Sequence, residues 1–217
     1  MKRQEQVFHI LEKCGALISG HVQLRSGKHS QRFLDMRRAQ LFPESTETLV
    51  GLLSEQIKMN VTGIVGRSPH CVVFAHELAK MLARNSKKDK PLSLQSMPRE
   101  KSSDGNPLVY FDHLYSAQLN GETIGIIEDV GTTDATMKAM IQATRDCGAE
   151  VTFAAYMCNR GGITAEQLGV EKLYSLLEIS KEDKNWQFFK PDECPYCAQG
   201  QQLEWKVDDS NGLLVPA

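Results

Sequence analysis

Ile124-Gly-Ile-Ile-Glu-Asp-Val-Gly-Thr-Thr-Asp-Ala-Thr136 runs an apolar strand straight into two carboxylates, Glu128 and Asp129, and then into small hydroxyl residues that open a helical pattern from about Met137. A junction of this composition suits a phosphorylated sugar. The N–H groups of a first helical turn have no partner inside the helix, the Thr132, Thr133 and Thr136 hydroxyls add donors, and small side chains let an anion approach closely. The two acids suit a different task, because carboxylates repel phosphate but accept hydrogen bonds from ribose hydroxyls and help to hold a Mg²⁺ ion. On the acids alone, the same string also reads as a buried strand, an acidic turn and a capped helix, which any α/β domain can contain.

Outward from this junction, helix and strand patterns alternate. Val7, Ile10, Leu11 and Cys14 repeat at helical spacing until Gly15, and polar, glycine-rich sequence follows from Gly20 to Ser30. A second helical pattern spans about Ser45 to Met59, Val61 to Val65 is a short buried strand, and Val72 to Arg84 is a helix. Leu92 to Leu94 reads as a strand. Ser96 to Pro107 has no apolar periodicity and predicts a loop long enough to act as a lid or to be disordered. Strand Thr123 to Ile127, helix Met137 to Cys147 and strand Glu150 to Met157 form a βαβ unit, and a right-handed crossover makes its strands parallel.

Composition narrows the classes of function. The chain has 217 residues, of which 41% are hydrophobic and 24% charged, enough for one substantial core. A net charge of -2 gives no basic field for nucleic acid. No apolar run approaches the roughly 20 residues of a membrane helix, and Met1-Lys-Arg-Gln-Glu-Gln6 lacks the apolar core of a signal peptide, so a cytoplasmic protein is expected. There is no G-x-x-x-x-G-K-[ST] and no G-x-G-x-x-G after a strand, which argues against a P-loop nucleotidase and a dinucleotide fold. A receiver domain needs further acids near its first strand, and the N-terminal third places none there.

The whole Ile124–Thr136 string resembles the 5-phosphoribosyl-1-pyrophosphate (PRPP) motif of type I phosphoribosyltransferases. Two further segments narrow the likeness. Gly15-Ala-Leu17, Gly20-His21, Leu24-x-Ser26-Gly27-Lys28-His29-Ser30 and Phe33 resemble the opening of orotate phosphoribosyltransferases, and Asn159-Arg160-Gly161-Gly162 resembles the turn whose arginine holds the orotate carboxylate in that family. Three matches in the right order, spanning about Val7 to Ile179, identify the chain as similar to that family.

The resemblance implies an α/β fold with a mainly parallel twisted sheet, a phosphoribosyltransferase domain over residues 1–190 with an N-terminal hood of about residues 1–42, and a tail over 191–217. It implies joining of orotate to PRPP with Mg²⁺ as cofactor, and a homodimer in which the lid of one subunit serves the other. PRPP is expected at Arg67, Glu128, Asp129, Val130, Gly131, Thr132, Thr133, Asp134, Ala135 and Thr136. The base is expected at Lys28, His29, Phe33, Thr132 and Arg160, because a planar guanidinium can bind a carboxylate edge through two parallel hydrogen bonds. Arg99, Lys101 and Asp129 are the expected catalytic residues.

Three departures from the family pattern stand beside these matches. Asp134 and Ala135 replace glycines, which puts a fixed negative charge at the 5′-phosphate pocket unless a basic neighbour neutralises it. Gly66-Arg67-Ser68-Pro69-His70-Cys71 replaces a glycine-rich pyrophosphate loop, with Arg67 and His70 able to compensate by charge. In the lid, Pro98-Arg99-Glu100-Lys101-Ser102-Ser103-Asp104-Gly105 keeps Arg99, Glu100 and Gly105 but has Ser102 and Asp104 in place of a lysine and a histidine, which removes two cationic groups from a developing polyanion. These changes keep two alternatives open, a phosphoribosyltransferase for another base and a non-catalytic PRPP- or nucleotide-sensing relative.

Six cysteines occur, and only Cys194-Pro-Tyr-Cys197 is a spaced pair. Such a knuckle supplies half of a tetrahedral zinc site, and no second C-x-x-C or nearby histidine pair completes it. Zinc shared across a dimer, a redox pair or a tight turn with two inert thiols are the readings; some bacterial orotate phosphoribosyltransferases have a similar Cys-Pro-x-Cys tail, which implies a structural feature.

Overall fold

A computed structural model describes residues 3–217 except 25, 68, 70, 86–91, 100–102, 104, 106, 180–182, 184–185 and 209–213, and it leaves the side chains of Asn85 and Arg99 undescribed. The expectations for His70, Glu100, Lys101, Ser102 and Asp104, and for the side chain of Arg99, therefore fall outside the described residues.

The chain order is α1 (Arg3–Lys13), β1 (Leu17–Gln23), β2 (His29–Leu34), α2 (Met36–Gln40), α3 (Pro43–Ser54), β3 (Gly63–Arg67), α4 (Val72–Asn85), β4 (Leu92–Arg99) and β5 (Leu108–Tyr110). It continues with α5 (His113–Leu119), β6 (Thr123–Gly131), α6 (Ala135–Asp146), β7 (Glu150–Asn159), α7 (Ala165–Leu168) and β8 (Lys172–Glu178). A 3₁₀ turn (Pro191–Glu193), α8 (Pro195–Ala198), β9 (Trp205–Val207) and β10 (Leu214–Pro216) close it.

The main sheet has the order β5-β4-β3-β6-β7-β8, parallel throughout except for edge strand β5. Its central strands are continuous apolar runs because both faces are covered. On one face Leu49, Leu53, Phe74 and Leu78 of α3 and α4 pack over Ile64 and Ile127, and on the other Met137, Met140 and Ile141 of α6 pack over Ile126 and Ala154. The connection after β3 goes outward to β4, and the one after β6 goes the other way to β7. The order of winding thus reverses between β3 and β6, and the carboxyl ends of those two strands bound the crevice where such sheets bind ligands.

A second sheet, β10-β9-β1-β2, joins the two ends of the chain. β1 and β2 form an antiparallel hairpin, β9 runs parallel to β1 at Val22↔Trp205, and β10 closes the edge.

Several boundaries differ from the sequence reading. The polar stretch Gly20–Ser30 contains parts of two strands, because His21, His29 and Ser30 are buried, with His21 and His29 satisfied by Gln201 and Phe189 far along the chain and the Ser30 hydroxyl accepting from the Arg32 N–H. The second helix starts at Pro43, whose fixed φ suits the first turn, and stops at Ser54, short of Met59. β3 lies at Gly63–Arg67, two residues later than expected. The lid stretch is partly strand, since Met97, Pro98 and Arg99 pair with Tyr110, Val109 and Leu108; a backbone ladder at a sheet edge leaves no apolar period to read. β6 and β7 run past the apolar core to Gly131 and Asn159, pairing as far as Gly131↔Asn159.

Candidate active site

Glu128 lies near the carboxyl end of β6 with its side chain turned inward, 4% exposed. Arg67, the last residue of neighbouring β3, donates from Nε to Glu128 Oε1 (2.9 Å), so the two strands at the winding reversal are tied by an ion pair. Burial raises the Glu128 carboxyl, Arg67 lowers it and Asp129 raises it again, leaving it at about 7 against an ordinary 4.5. Burial pulls the Arg67 guanidinium down while the Glu128 charge and hydrogen bond push it up, for a net rise. The two rises have different causes: the Glu128 charge holds the proton on Arg67, whereas for Glu128 the cost of removing a carboxylate from water exceeds what this one partner returns.

Asp129 is half-buried, and its Oδ1 accepts from the Val130 N–H (2.8 Å). Gly131 O then accepts from the N–H groups of both Arg160 and Gly161 (2.8 Å each), which draws the turn after β7 over the loop after β6. This approach requires glycine at 161, because a Cβ there would collide with Thr132 O. Thr132 and Thr133 are exposed, and Ala135 and Thr136 open α6, so the loop expected to take a phosphate presents its hydroxyl residues at the surface. Asp134 precedes α6 without capping it, and its carboxylate pairs with Lys138 Nζ (2.6 Å) one turn on, so the charge that replaces the family glycine is locally neutralised.

Arg160 Nη2 donates to Thr132 Oγ1 (3.4 Å), and its Cζ lies 4.7 Å from the centroid of the Phe188 ring. Burial lowers its pKa from the ordinary arginine value, and its Nε is buried with no hydrogen-bond partner among the described residues. A flat guanidinium held on an aromatic face, with an unsatisfied donor, has the chemistry to accept a planar anion.

The loop after β3, where the resemblance places pyrophosphate, keeps one glycine of the family pattern. A Cβ on Gly66 would lie 2.6 Å from Cys71 O and 2.7 Å from the Ala75 side chain, so Gly66 lets α4 close on β3. Cys71 is fully buried, and burial together with Asp129 and Glu128 raises its thiol well above the ordinary value. It is an inert packing residue.

The base-side residues divide. Lys28 sits in the β1–β2 turn, where Leu24 N donates to Lys28 O (2.7 Å), and Phe33 packs on the small hood cluster of Ile18, Val22 and Leu214. His29 is 4% exposed with its ring turned away into a group with His21, Cys194 and Cys197, so that imidazole is committed elsewhere. Phe189 pairs its backbone with His29, and adjacent Phe188 lies beneath Arg160; the tail segment thus links hood and base side. Lys138 and the tail carbonyl of Gln201 did not stand out in the sequence, His21 entered only through the Gly20-His21 match, and only chain topology brings His21 and Gln201 together.

A parallel sheet with a winding reversal, two acids at the strand end, a Thr-rich loop into a helix and an arginine turn beside it define a type I phosphoribosyltransferase. No family model matches the chain. An orotate phosphoribosyltransferase of Thermotoga maritima is 30% identical over 199 residues, covering 91% of this chain and 95% of that protein, and one of Desulforamulus reducens is 28% identical over 198 residues, covering 91% and 93%. The crystal structure of orotate phosphoribosyltransferase from Aeropyrum pernix superposes with a TM-score of 0.60 at 26% identity, over 78% of this chain and 92% of that one. The Mycobacterium tuberculosis enzyme in complex with PRPP shares the fold, with a TM-score of 0.55 at 19% identity over 82% of this chain and 96% of that one. The chain belongs to the orotate phosphoribosyltransferase family.

Proposed function

We propose that the protein transfers the phosphoribosyl group of PRPP to orotate, giving orotidine 5′-phosphate and pyrophosphate. The observation that carries this is the Arg160–Thr132 contact, which sets a carboxylate receptor against the phosphate loop. The Thr132–Thr136 loop holds the 5′-phosphate, Asp129 and Glu128 accept from the ribose hydroxyls, and Arg160 grips the orotate carboxylate. Positioned in this way, the ring nitrogen attacks C1 in line as pyrophosphate departs, and the carboxylates beneath the ribose favour the positive charge that develops there. Sugar hydroxyls reaching Glu128 compete with Arg67, so binding releases or shares that guanidinium.

The donor set fits magnesium. Two adjacent carboxylates are hard oxygen ligands of the kind that ion takes alongside substrate phosphates, and Asp129 is the more available because Glu128 already accepts from Arg67. Bound there with PRPP, the ion neutralises pyrophosphate charge. Arg99 and Lys101 are proposed to add cationic support from the lid, and a homodimer in the cytoplasm is the proposed setting. Among the described residues no helix is long and apolar enough to cross a membrane.

The buried Arg67–Glu128 pair favours one other reading, a non-catalytic PRPP-binding relative, since it occupies a ribose acceptor. Following pyrophosphate release with PRPP, Mg²⁺ and a panel of bases separates the two. Orotate-dependent release is expected; release only with another base, or PRPP binding without release, contradicts the proposal.

A further inference from the structure

The hood and tail meet at four side chains that the transfer reaction does not use. His21 of β1, His29 of β2, Cys194 before α8 and Cys197 within it bring one ligand atom each to within 4.8 Å of all the others. His21 Nε2 lies 3.0 Å from His29 Nδ1, 3.5 Å from Cys194 Sγ and 3.7 Å from Cys197 Sγ, and Cys197 Sγ lies 3.3 Å from His29 Nδ1. For zinc bonds of roughly 2.3 Å to sulfur and 2.05 Å to nitrogen, a tetrahedron has edges of about 3.6 Å between sulfur and nitrogen and about 3.3 Å between nitrogens. These four separations lie within about 0.3 Å of those edges.

The surroundings are arranged for a metal as well. His21 Nδ1 lies 3.0 Å from Gln201 O; a carbonyl only accepts, so Nδ1 carries the proton and Nε2 turns its lone pair into the cluster. A metal-bound imidazole makes this second contact almost without exception. The turn that delivers the carbonyl is itself fixed, with Gly200 N donating to Cys197 O and Gln201 N to Tyr196 O. His21, His29 and Cys194 are buried while Cys197 is exposed, which leaves one side open for entry.

We infer that these residues form a Cys₂His₂ structural zinc site that fastens the C-terminal tail to the N-terminal hood. Two thiolates and two neutral imidazoles balance the ion's charge, and the site releases two protons as it fills. The need for it is visible in the hood sheet, whose own cluster among the described residues buries Ile18, Val22 and Leu214, while Leu17 and Leu34 pack into the main core, and whose β9 and β10 span three residues each. So small a core does not hold a sheet without a staple, and a metal supplies one. Because Lys28 precedes His29 and Phe188 precedes the Phe189 that pairs with it, the site also fixes the hood side of the base pocket.

The test uses the full chain, purified without added metal and measured by elemental analysis. One zinc per chain is expected, and Co²⁺ exchanged into the wild-type protein should show intense tetrahedral ligand-field bands with thiolate charge transfer. Cys197→Ser and His29→Ala should each weaken zinc binding by roughly 100-fold or more, whereas Cys147→Ser, outside the cluster, should not. Failure of the wild-type chain to take up zinc at equilibrium overturns the site. So does a cobalt spectrum without thiolate charge transfer, which needs no variant to fold, or full zinc affinity in Cys197→Ser.

Discussion

The β6–α6 junction and the hood sheet solve the same problem, holding a few polar side chains in place, by opposite means. At the junction, Glu128 and Asp129 extend from a strand buried on both faces and paired to β3 and β7, so their position follows from a large core. In the hood, Ile18, Val22 and Leu214 form the sheet's own buried cluster among the described residues, Leu17 and Leu34 pack into the main core, and order also comes from bonds across the chain, such as His21 N donating to Glu204 Oε1 (3.1 Å) and Glu204 N to His21 O (2.9 Å). The first site inherits rigidity, and the second must be tied.

Truncation at one site of each kind should reveal that difference. Ile64→Ala, fully buried in the central sheet, is expected to lower global stability by about 4 kcal/mol. Leu214→Ala in the hood should leave global stability within about 1 kcal/mol while speeding amide exchange in residues 17–34 and 205–207, since few contacts carry that effect onward. Equal losses in denaturant titration would remove the distinction.

Arg160→Ala should reduce kcat/KM for orotate by about 3 kcal/mol, roughly 150-fold, with the KM for PRPP nearly unchanged, and Arg160→Lys should recover little because a single ammonium cannot reproduce the fork. Steady-state kinetics with each substrate varied in turn measures this. A PRPP effect as large as the orotate effect would place Arg160 on the phosphate side instead.

The buried carboxyl gives the junction a pH signature. With Glu128 at about 7 in the folded chain against 4.5 ordinarily, the native state binds the extra proton between those values. Its contribution is therefore full below 4.5 and is lost as the pH rises through about 7. The loss amounts to about 3 kcal/mol at pH 8. Wild-type denaturation midpoints should fall over that window, and Glu128→Gln should flatten the fall; an unchanged slope would mean that the carboxyl stays ionised.

The smallest effect is expected at the helix start. Lys138→Ala frees the Asp134 charge and should raise the KM for PRPP about threefold, and Asp134→Ala in the same chain should reverse it, because this pair is half-exposed and worth under about 1 kcal/mol. Lack of reversal would remove Asp134 from the phosphate pocket.

Legibility in the sequence follows the same division. The junction, the βαβ unit and the Arg160 turn could be read because each is local: an apolar run, two acids and a glycine turn lie within a few residues of one another. The strand at Leu92 was extended by pairing with Leu108–Tyr110, and Gly20–Ser30 of the hood hairpin was read as polar loop, because its buried residues, His21, Val22, His29 and Ser30, include one apolar side chain and show no apolar period. The cysteine pair lacked ligands in the sequence because its histidines come from β1 and β2, with His29 lying 168 residues before Cys197. The Arg67–Glu128 pair likewise depends on which strands are neighbours, and no spacing in a single chain reports that.

Calorimetric titration of PRPP with Mg²⁺ into wild-type protein and into the Glu128→Gln, Asp129→Asn double variant examines the junction most directly. Saturable one-site binding in the wild type that weakens by roughly 100-fold or more in the double variant is the expected result, since two charged acceptors to the ribose hydroxyls are lost. Equal affinity in the two proteins, or no heat in either, would contradict the assignment of Ile124–Thr136 as the ribose-phosphate cradle.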